Sequence, residues 1–173
     1  AASQKMPHAW KAGAQTVLLR QQLQAMEDGG LVVMSAPANP FRCPPGPYER
    51  VCAIADWLTT SGRVNSRVIV LDANTGITAE PKNFGRAFDV THTNVDYYPN
   101  ATVASVEMAG PNGNKVVTLT AAATLTNPNP DVVPTEYGAS ASTFEAAVVN
   151  LIPPQRAGDL AHNARAVVPD DFK

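Results

Sequence analysis

Apolar residues recur at helical spacing in two segments of the first half of the chain, and a short apolar run follows each of them. The spacing predicts helices over residues 14–28 and 47–62. The runs "LVVMSA" (31–36) and "RVIVLDAN" (67–74) predict buried strands. Strand, helix and strand in this order make a βαβ unit with a right-handed crossover. The expected core positions of the two helices are Leu19, Leu23, Met26, Val51, Ile54, Ala55 and Leu58.

The second half of the chain alternates polar and apolar residues, which is typical of strands with one buried face. A short helix is predicted around 81–88 and strands are predicted over 101–108, 114–121 and 143–152. "GPNGN" is a strong turn signal between the first two of these strands. The segment 127–141 is rich in Pro, Asn and Gly and predicts a surface loop. These strands are expected to form an antiparallel meander that packs on the parallel sheet.

The patterns predict an α/β fold: a Rossmann-like, NAD(P)-type three-layer arrangement of a parallel sheet plus an antiparallel β-meander. Residues 1–173 are predicted to be a single domain, because this length suits one hydrophobic core. Hydrophobic residues make up 45% of the chain and charged residues 16%, which is typical of a globular protein. The formal charge of −2 offers no basic face, so no nucleic-acid partner is expected.

Neither a membrane span nor a secretory signal is expected. No apolar run approaches the roughly 20 residues that cross a bilayer, and the start "AASQKMPHAW" lacks the charged and apolar regions of a signal peptide. Two cysteines cannot form a disulfide framework. His8, His92 and His162 are scattered and no Cys-x2-Cys pair is present, so no metal site is expected.

The loop after the first predicted strand, "PANPFRCPPGPYER", does not suit a dinucleotide. A dinucleotide fingerprint needs Gly-x-Gly-x-x-Gly at this turn, whereas this loop has Gly46 alone, surrounded by prolines that carry no N–H group. Binding of NAD is therefore not expected. Asp72, at the end of the second predicted strand, is interpreted as an exposed strand-end aspartate rather than as a ribose-binding acid.

Cys43 lies a few residues ahead of a predicted helix N-terminus, where the helix dipole favours a thiolate. Glu49 falls in the first turn of that helix and is able to exchange protons with a sulfur species near Cys43. The alternative is that Cys43 is a buried filler and Glu49 a simple helix-start charge. Cys52 lies at helical spacing among apolar residues and is interpreted as an inert core thiol. A Cys43–Cys52 disulfide would have poor geometry.

Three segments resemble one family of flavoenzymes. "CPPGPYER" (43–50) resembles a segment of the flavoprotein subunit of flavocytochrome c sulfide dehydrogenase and of its relative sulfide:quinone oxidoreductase. "PHAWKAGAQTVLLRQQLQAMEDGG" (7–30) and "VVNLIPPQRAG" (148–158) resemble segments on either side of it, in the family's order. The stretch from about 77 to 143 is similar only in its strand pattern.

The resemblance implies the second, NAD-like domain of a FAD-dependent enzyme of the pyridine nucleotide-disulfide oxidoreductase type. Cys43 would then be one cysteine of a redox-active pair above the flavin, with Glu49 as the proton acceptor. The implied reaction is the oxidation of sulfide to sulfur or polysulfide. The residues that the resemblance places near the cofactor are Trp10, Pro44, Pro154, Gln155 and Arg156. For Arg156 an interdomain salt bridge is the alternative, and for Trp10 a packing role.

Two departures from the family pattern concern what this chain does alone. The sequence has no third cysteine to pair with Cys43, and it has no Gly-x-Gly-x-x-Gly fingerprint for FAD. The resemblance therefore implies that the other FAD-binding portions belong to the same longer polypeptide. We expect the 173-residue chain to bind FAD weakly or not at all and to lack sulfide dehydrogenase activity. A stoichiometric flavin spectrum of the purified chain would contradict this.

The resemblance also implies a c-type cytochrome subunit or a quinone as electron acceptor, and a periplasmic location through the cytochrome-linked branch. Two other functions compete with a sulfide-oxidising enzyme. One is a non-catalytic docking module with a degenerate nucleotide-binding fold. The other is the domain of a NADH-dependent flavin reductase, which tight NADH binding would favour. Rapid alkylation of Cys43 favours the redox function, whereas a buried and inert Cys43 favours the docking module.

Overall fold

The structure, a computed structural model, describes residues 4–109, 113–132, 136–155 and 157–163. Its elements, in chain order, are α1 (Ala14–Ala25), β1 (Leu31–Ala36), α2 (Gly46–Thr60), β2 (Arg67–Asp72), α3 (Pro81–Arg86) with a following π-helical turn (Ala87–Thr91), β3 (Val95–Tyr98), β4 (Val103–Ala109), β5 (Asn114–Thr126), β6 (Glu136–Ala146), β7 (Val148–Leu151) and α4 (Asp159–Asn163). In the part of the chain described, no helix is both long enough and apolar enough to span a bilayer.

The central layer is a parallel sheet of four strands in the order β3-β2-β1-β7. Its two middle strands, β1 and β2, are predicted from their continuous apolar runs, and both are buried over nearly their full length. Burial on both faces explains why their sequences do not alternate. Because all pairs of strands are parallel, their carboxyl ends lie along one edge of the sheet. The loops that follow β1, β2 and β7 therefore meet at that edge.

Side chains of the central strands alternate between two hydrophobic cores. Val32 and Met34 of β1 pack with α1 and α2, whereas Val33 packs on the opposite side. There the antiparallel sheet β4-β5-β6 covers the parallel sheet. Tyr98 and Phe144 join the two sheets through an edge-to-face contact with ring centroids 5.0 Å apart. Helices, parallel sheet and antiparallel sheet form three layers, so the predicted α/β fold is confirmed.

The boundaries of several elements differ from the sequence-based expectation. The first helix ends at Ala25 instead of residue 28, because Met26 adopts an extended conformation. The short strand β3 was not predicted, since its four residues are too few to show a clear pattern. The expected strand over 143–152 is two strands: β6 belongs to the antiparallel sheet, and β7 pairs in parallel with β1. The apolar core residues predicted for both helices are buried, as expected.

The predicted surface loop over 127–141 is shorter than expected, because its second part, from Glu136, belongs to β6. Its first part is held against α3 and the π-helical turn. The carboxylate of Asp89 accepts hydrogen bonds from the side-chain amides of Asn127 (2.8 Å) and Asn129 (3.0 Å). Gly85 in α3 permits this docking, since a Cβ atom there would overlap the carbonyl oxygen of Pro128.

We predict that Gly85→Ala destabilises the domain. Alanine favours a helix over glycine by about 1 kcal/mol, but at this position its Cβ must push the backbone at Pro128 away. Overpacking of this kind typically costs about 1–3 kcal/mol. The free energy of unfolding, measured by urea denaturation, should therefore fall rather than rise.

The matched control is Gly76→Ala. A Cβ at Gly76 meets no atom within 4 Å, and the backbone there is outside the left-handed region. This variant should be as stable as the parent. Equal stability of the two variants would show that the 127–129 segment does not dock on α3.

Candidate functional site

Cys43 lies in the loop between β1 and α2, at the carboxyl edge of the parallel sheet. Its side chain is exposed, which contradicts the alternative that it is a buried filler. The backbone of Cys43 has φ +59°, a left-handed conformation that costs a non-glycine residue roughly 1–2 kcal/mol. A tight turn holds it, because the N–H group of Gly46 donates to the Cys43 carbonyl oxygen at 2.9 Å. Backbone strain of this kind is concentrated at functional sites.

Glu49 lies in the first turn of α2, as predicted, and its side chain is exposed. It shares an open cleft of about 740 Å³ with Cys43. The dipole of α2 gives this end of the cleft a positive potential. The cleft thus combines a thiol, a carboxylate and a helix N-terminus. Its lining residues are Trp10, Lys11, Ala12, Arg42, Cys43, Gly46, Glu49, Arg50 and Ala53.

Trp10 reaches the cleft because Gly46 has no side chain. A Cβ atom on Gly46 would lie 2.7 Å from Cη2 of Trp10 and 3.1 Å from Sγ of Cys43. The indole edge and the sulfur therefore approach the same point of the first turn of α2. Trp10 packs on the protein, as its packing interpretation expects, and it also forms a wall of the cleft beside Cys43. Contact between Trp10 and a cofactor stays a prediction.

Arg50 fixes the segment that carries Trp10. Its guanidinium donates to the carbonyl oxygens of His8 (3.1 Å) and Ala9 (2.7 Å), and also to Oδ1 of Asn150 in β7 (3.1 Å). It also stacks on the Trp10 ring, with Cζ 5.1 Å from the centroid. Burial lowers the pKa of Arg50. One side chain thus joins α2, the N-terminal segment and β7.

Asn150 completes this arrangement. It is fully buried in β7, and its side-chain N–H₂ group donates to the carbonyl oxygens of Pro7 (2.6 Å) and His8 (2.9 Å). Buried backbone carbonyls need such partners, because leaving one without a hydrogen bond costs about 1–3 kcal/mol. No pattern in the sequence indicates the roles of Arg50 and Asn150, because their partners are more than 40 residues away in the chain.

The segment after β7 touches the Cys43 loop through Gln155. Its Oε1 atom accepts a hydrogen bond from the backbone N–H of Arg42 at 2.9 Å. The Nε2 atom of the same side chain is buried and has no acceptor within the described ranges. Pro44 and Pro154 are exposed on the two loops. Arg156 lies outside the described residues, so its predicted role is not tested.

Asp72 is fully buried, so the interpretation as an exposed strand-end aspartate is wrong. Its Oδ2 atom accepts hydrogen bonds from the hydroxyls of Tyr48 and Tyr97, both at 2.8 Å. Its Oδ1 atom accepts from the backbone and side-chain N–H groups of Asn74 at 2.9 and 2.8 Å. Burial raises the pKa of Asp72, while these donors act in the opposite direction.

This network leaves no free acceptor on Asp72 for the hydroxyls of a ribose. A carboxylate has about four acceptor positions, and four N–H or O–H groups of the protein already occupy them. The acid at the end of β2 is therefore occupied by groups of the protein itself.

The second cysteine, Cys52, is half-buried on α2 and packs against the core on the helix side of the sheet. Burial raises the pKa of its thiol, and the nearby charge of Glu49 adds to the increase. A thiol with a raised pKa is a poor nucleophile. Within the described ranges, no group of three or more His, Cys, Asp or Glu side chains is arranged to hold a metal ion.

One comparison with known proteins bears on this site. A family model described as sulfide dehydrogenase (flavocytochrome c) flavoprotein chain, central, matches residues 16–153, about four fifths of the chain. The matched range includes Cys43, Pro44 and Glu49. Trp10 precedes the range, and the segment of Pro154 and Gln155 follows it.

We predict that Gly46→Ala displaces the Trp10 ring. The new Cβ would lie 2.7 Å from Cη2 of Trp10, closer than real Cβ contacts, so the ring must move towards solvent. The emission of Trp10 should shift to longer wavelength, measured in a Trp57→Phe background so that Trp10 is the tryptophan observed. Gly76→Ala in the same background is the control. Unchanged emission in the Gly46 variant would show that Trp10 does not pack on this turn.

We also predict that Tyr48 contributes stability that is lost at alkaline pH. Burial, followed by the charge of Asp72, raises the pKa of Tyr48 from 10.0 to about 12. A tyrosine with a raised pKa stabilises the fold fully below the unfolded pKa, and this stability declines as the pH rises from about 10 to 12. Two pKa units correspond to about 3 kcal/mol.

The measurement compares the parent with Tyr48→Phe by urea denaturation between about pH 9 and pH 12. Near pH 9 the variant should be about 1–3 kcal/mol less stable, because a donor to buried Asp72 is lost. The difference should shrink as the pH rises towards 12. A difference that stays constant over this range would refute the buried hydrogen bond.

Proposed function

Since this chain belongs to the family of the sulfide dehydrogenase (flavocytochrome c) flavoprotein chain, we propose that it is the domain of a FAD-dependent, sulfide-oxidising enzyme that carries one of the redox cysteines. The observation that supports the proposal is the placement of Cys43. It is exposed, held in a left-handed conformation ahead of α2, and shares a cleft with Glu49 at the carboxyl edge of the sheet. Bound ligands of open α/β sheets lie at this edge.

The proposed chemistry begins with a disulfide between Cys43 and a second cysteine that is outside these 173 residues. A hydrosulfide ion attacks one sulfur of this disulfide and forms a new S–S bond, which leaves a persulfide on that cysteine. The old S–S bond breaks, and its electron pair stays on the other cysteine as a thiolate. The proton that remains on the attacking sulfur passes to Glu49, which leaves the persulfide as an anion. A second hydrosulfide ion then attacks the outer sulfur of the persulfide and carries it away as H–S–S⁻, which leaves two thiolates. FAD, when bound, would accept the two electrons that are released when these thiolates re-form the disulfide.

This chain's own residues serve the reaction in three ways. The dipole of α2 places partial positive charge beside the Cys43 loop, which favours the anionic sulfur species of the reaction. Glu49 takes up a proton within the same cleft. The turn closed by Gly46 fixes the sulfur at the edge of the sheet.

Residues on two loops fit one wall of a flavin site. The buried Nε2 group of Gln155 lacks an acceptor within the described part of the chain, which suits a carbonyl group supplied by a cofactor or by another segment. Pro44 and Pro154 present exposed apolar surface on the neighbouring loops, and Trp10 adds an aromatic face. We propose that these residues, with Arg156, contact the flavin, and that the glycine-rich loop for its diphosphate is supplied by other portions of the polypeptide.

The family description names a flavocytochrome c, which supports a c-type cytochrome subunit as the electron acceptor. We propose this partner in preference to a quinone. A periplasmic location is proposed on the same ground, because c-type cytochrome partners of this kind are expected there from the resemblance.

We predict that Cys43→Ser abolishes reduction of the flavin by sulfide in the holoenzyme that contains this chain. The variant should keep its flavin content, and dithionite should still reduce that flavin. Glu49→Gln should slow reduction by sulfide about 100-fold, the usual contribution of a general base. The measurement is stopped-flow absorbance of the flavin after mixing with sulfide.

Cys52→Ser is the matched control and should behave as the parent, because Cys52 packs against the core and does not line the cleft. Normal reduction by sulfide in the Cys43 variant would refute the redox role. If cytochrome binding persisted in that enzyme, the docking-module function would explain the domain better.

A further inference from the structure

Three cationic side chains from three parts of the fold line the cleft of Cys43. Lys11 comes from the N-terminal segment, Arg42 from the loop after β1 and Arg50 from α2. Among the described residues that line the cleft, Glu49 is the one with an acidic side chain, so these four groups together carry a net charge of +2. Lys11 and Arg42 are exposed at the rim, whereas Arg50 is half-buried.

These cations lack carboxylate partners within the described ranges. The salt bridge found there joins Arg67 to Asp96, on β2 and β3. Arg50 donates its hydrogen bonds to neutral carbonyl and amide oxygens, so no negative charge compensates its positive charge. On a chain with a formal charge of −2, a cleft with a net positive charge is a local feature and not a reflection of the whole surface.

We infer that this cleft selects the anionic form of its substrate, hydrosulfide rather than H₂S, and that Lys11 and Arg42 are the residues that determine this selection. The inference rests on the proposed role of Cys43. Near neutral pH both forms of sulfide are present, and only hydrosulfide is the nucleophile that attacks a disulfide. A cleft that concentrates the anion therefore raises the rate of attack without any contact specific to sulfur.

Coulomb attraction is strong enough to give this selection. Exposed charges act over roughly 8–10 Å at physiological ionic strength. A cleft lined mainly by charges of one sign raises the association rate of ligands of the opposite charge by a factor of about 10 or more. The N-terminus of α2 adds its own partial positive charge at the same place. Arg50 also holds the backbone of residues 8 and 9, so its charge cannot be removed without disturbing the site, whereas Lys11 and Arg42 are free to be tested.

The experiment uses the reaction of Cys43 with two aromatic disulfides in the 173-residue chain carrying Cys52→Ser. One is the dianion dithiobis(nitrobenzoate) and the other is neutral dithiodipyridine. The Cys43 thiolate attacks one sulfur of either reagent and forms a mixed disulfide. One aromatic thiolate leaves with the electron pair of the broken bond, and its absorbance gives the rate.

The quantity measured is the ratio of the rate with the dianion to the rate with the neutral reagent. We expect Lys11→Gln and Arg42→Gln each to lower this ratio about threefold at low salt, and the double variant about tenfold. Added salt should lower the ratio in the parent and change it little in the double variant. The neutral reagent should react with all variants at similar rates, which shows that the fold and the Cys43 loop are intact.

The matched controls are Lys82→Gln and Arg86→Gln, which remove exposed cations of α3 that do not line the cleft. They should leave the ratio unchanged. An unchanged ratio in the double variant, with Cys43 still reactive, would overturn the charge selection and leave the redox proposal standing. A Cys43 that reacts with neither reagent would overturn both.

Discussion

The buried carboxylate of Asp72 is the constraint on which the arrangement of the site depends. Its hydrogen bonds join the end of β2 to Tyr48 in the first turn of α2 and to Tyr97 in β3. A buried carboxylate is costly unless its acceptor positions are filled, so these partners cannot be exchanged one at a time. The first turn of α2 is thereby fixed over the strand ends. Glu49 follows Tyr48 directly, and Cys43 lies on the turn that leads into the helix.

The carboxyl edge of the sheet carries different groups from those of a dinucleotide-binding domain. In dinucleotide-binding domains, glycines after the first strand bring the backbone close to a diphosphate, and an acid after the second strand receives a ribose. In this chain prolines stand where those glycines would be, and the carboxylate of Asp72 accepts its hydrogen bonds from two tyrosines and Asn74. At the ends of the strands lies the exposed side chain of Cys43, on a turn with a left-handed backbone conformation. The βαβ arrangement is thus combined with prolines, a cysteine and a buried acid at the positions where a dinucleotide-binding domain has its ligand-binding groups.

The sequence predicted the layers of the fold and the place of Cys43, because both follow from local patterns. Two apolar runs, two amphipathic helices and a proline-rich loop are visible within short windows. It did not predict β3, the division of the last strand between two sheets, or the burial of Asp72. Each of these depends on partners far away in the chain: β7 pairs with β1, and Asp72 meets Tyr48 and Tyr97. Hydrogen bonds of this kind leave no periodicity in the sequence.

Arg50 has a mechanical consequence that its charge does not suggest. It follows Glu49 in the sequence and donates hydrogen bonds to the backbone of residues 8 and 9 and to Asn150 of β7. The segment before α1 and strand β7 are therefore tied to the same turn of the helix that carries Glu49. A force on the segment before α1 would thus pass through Arg50 both to the turn of α2 beside the cleft and to strand β7 of the sheet.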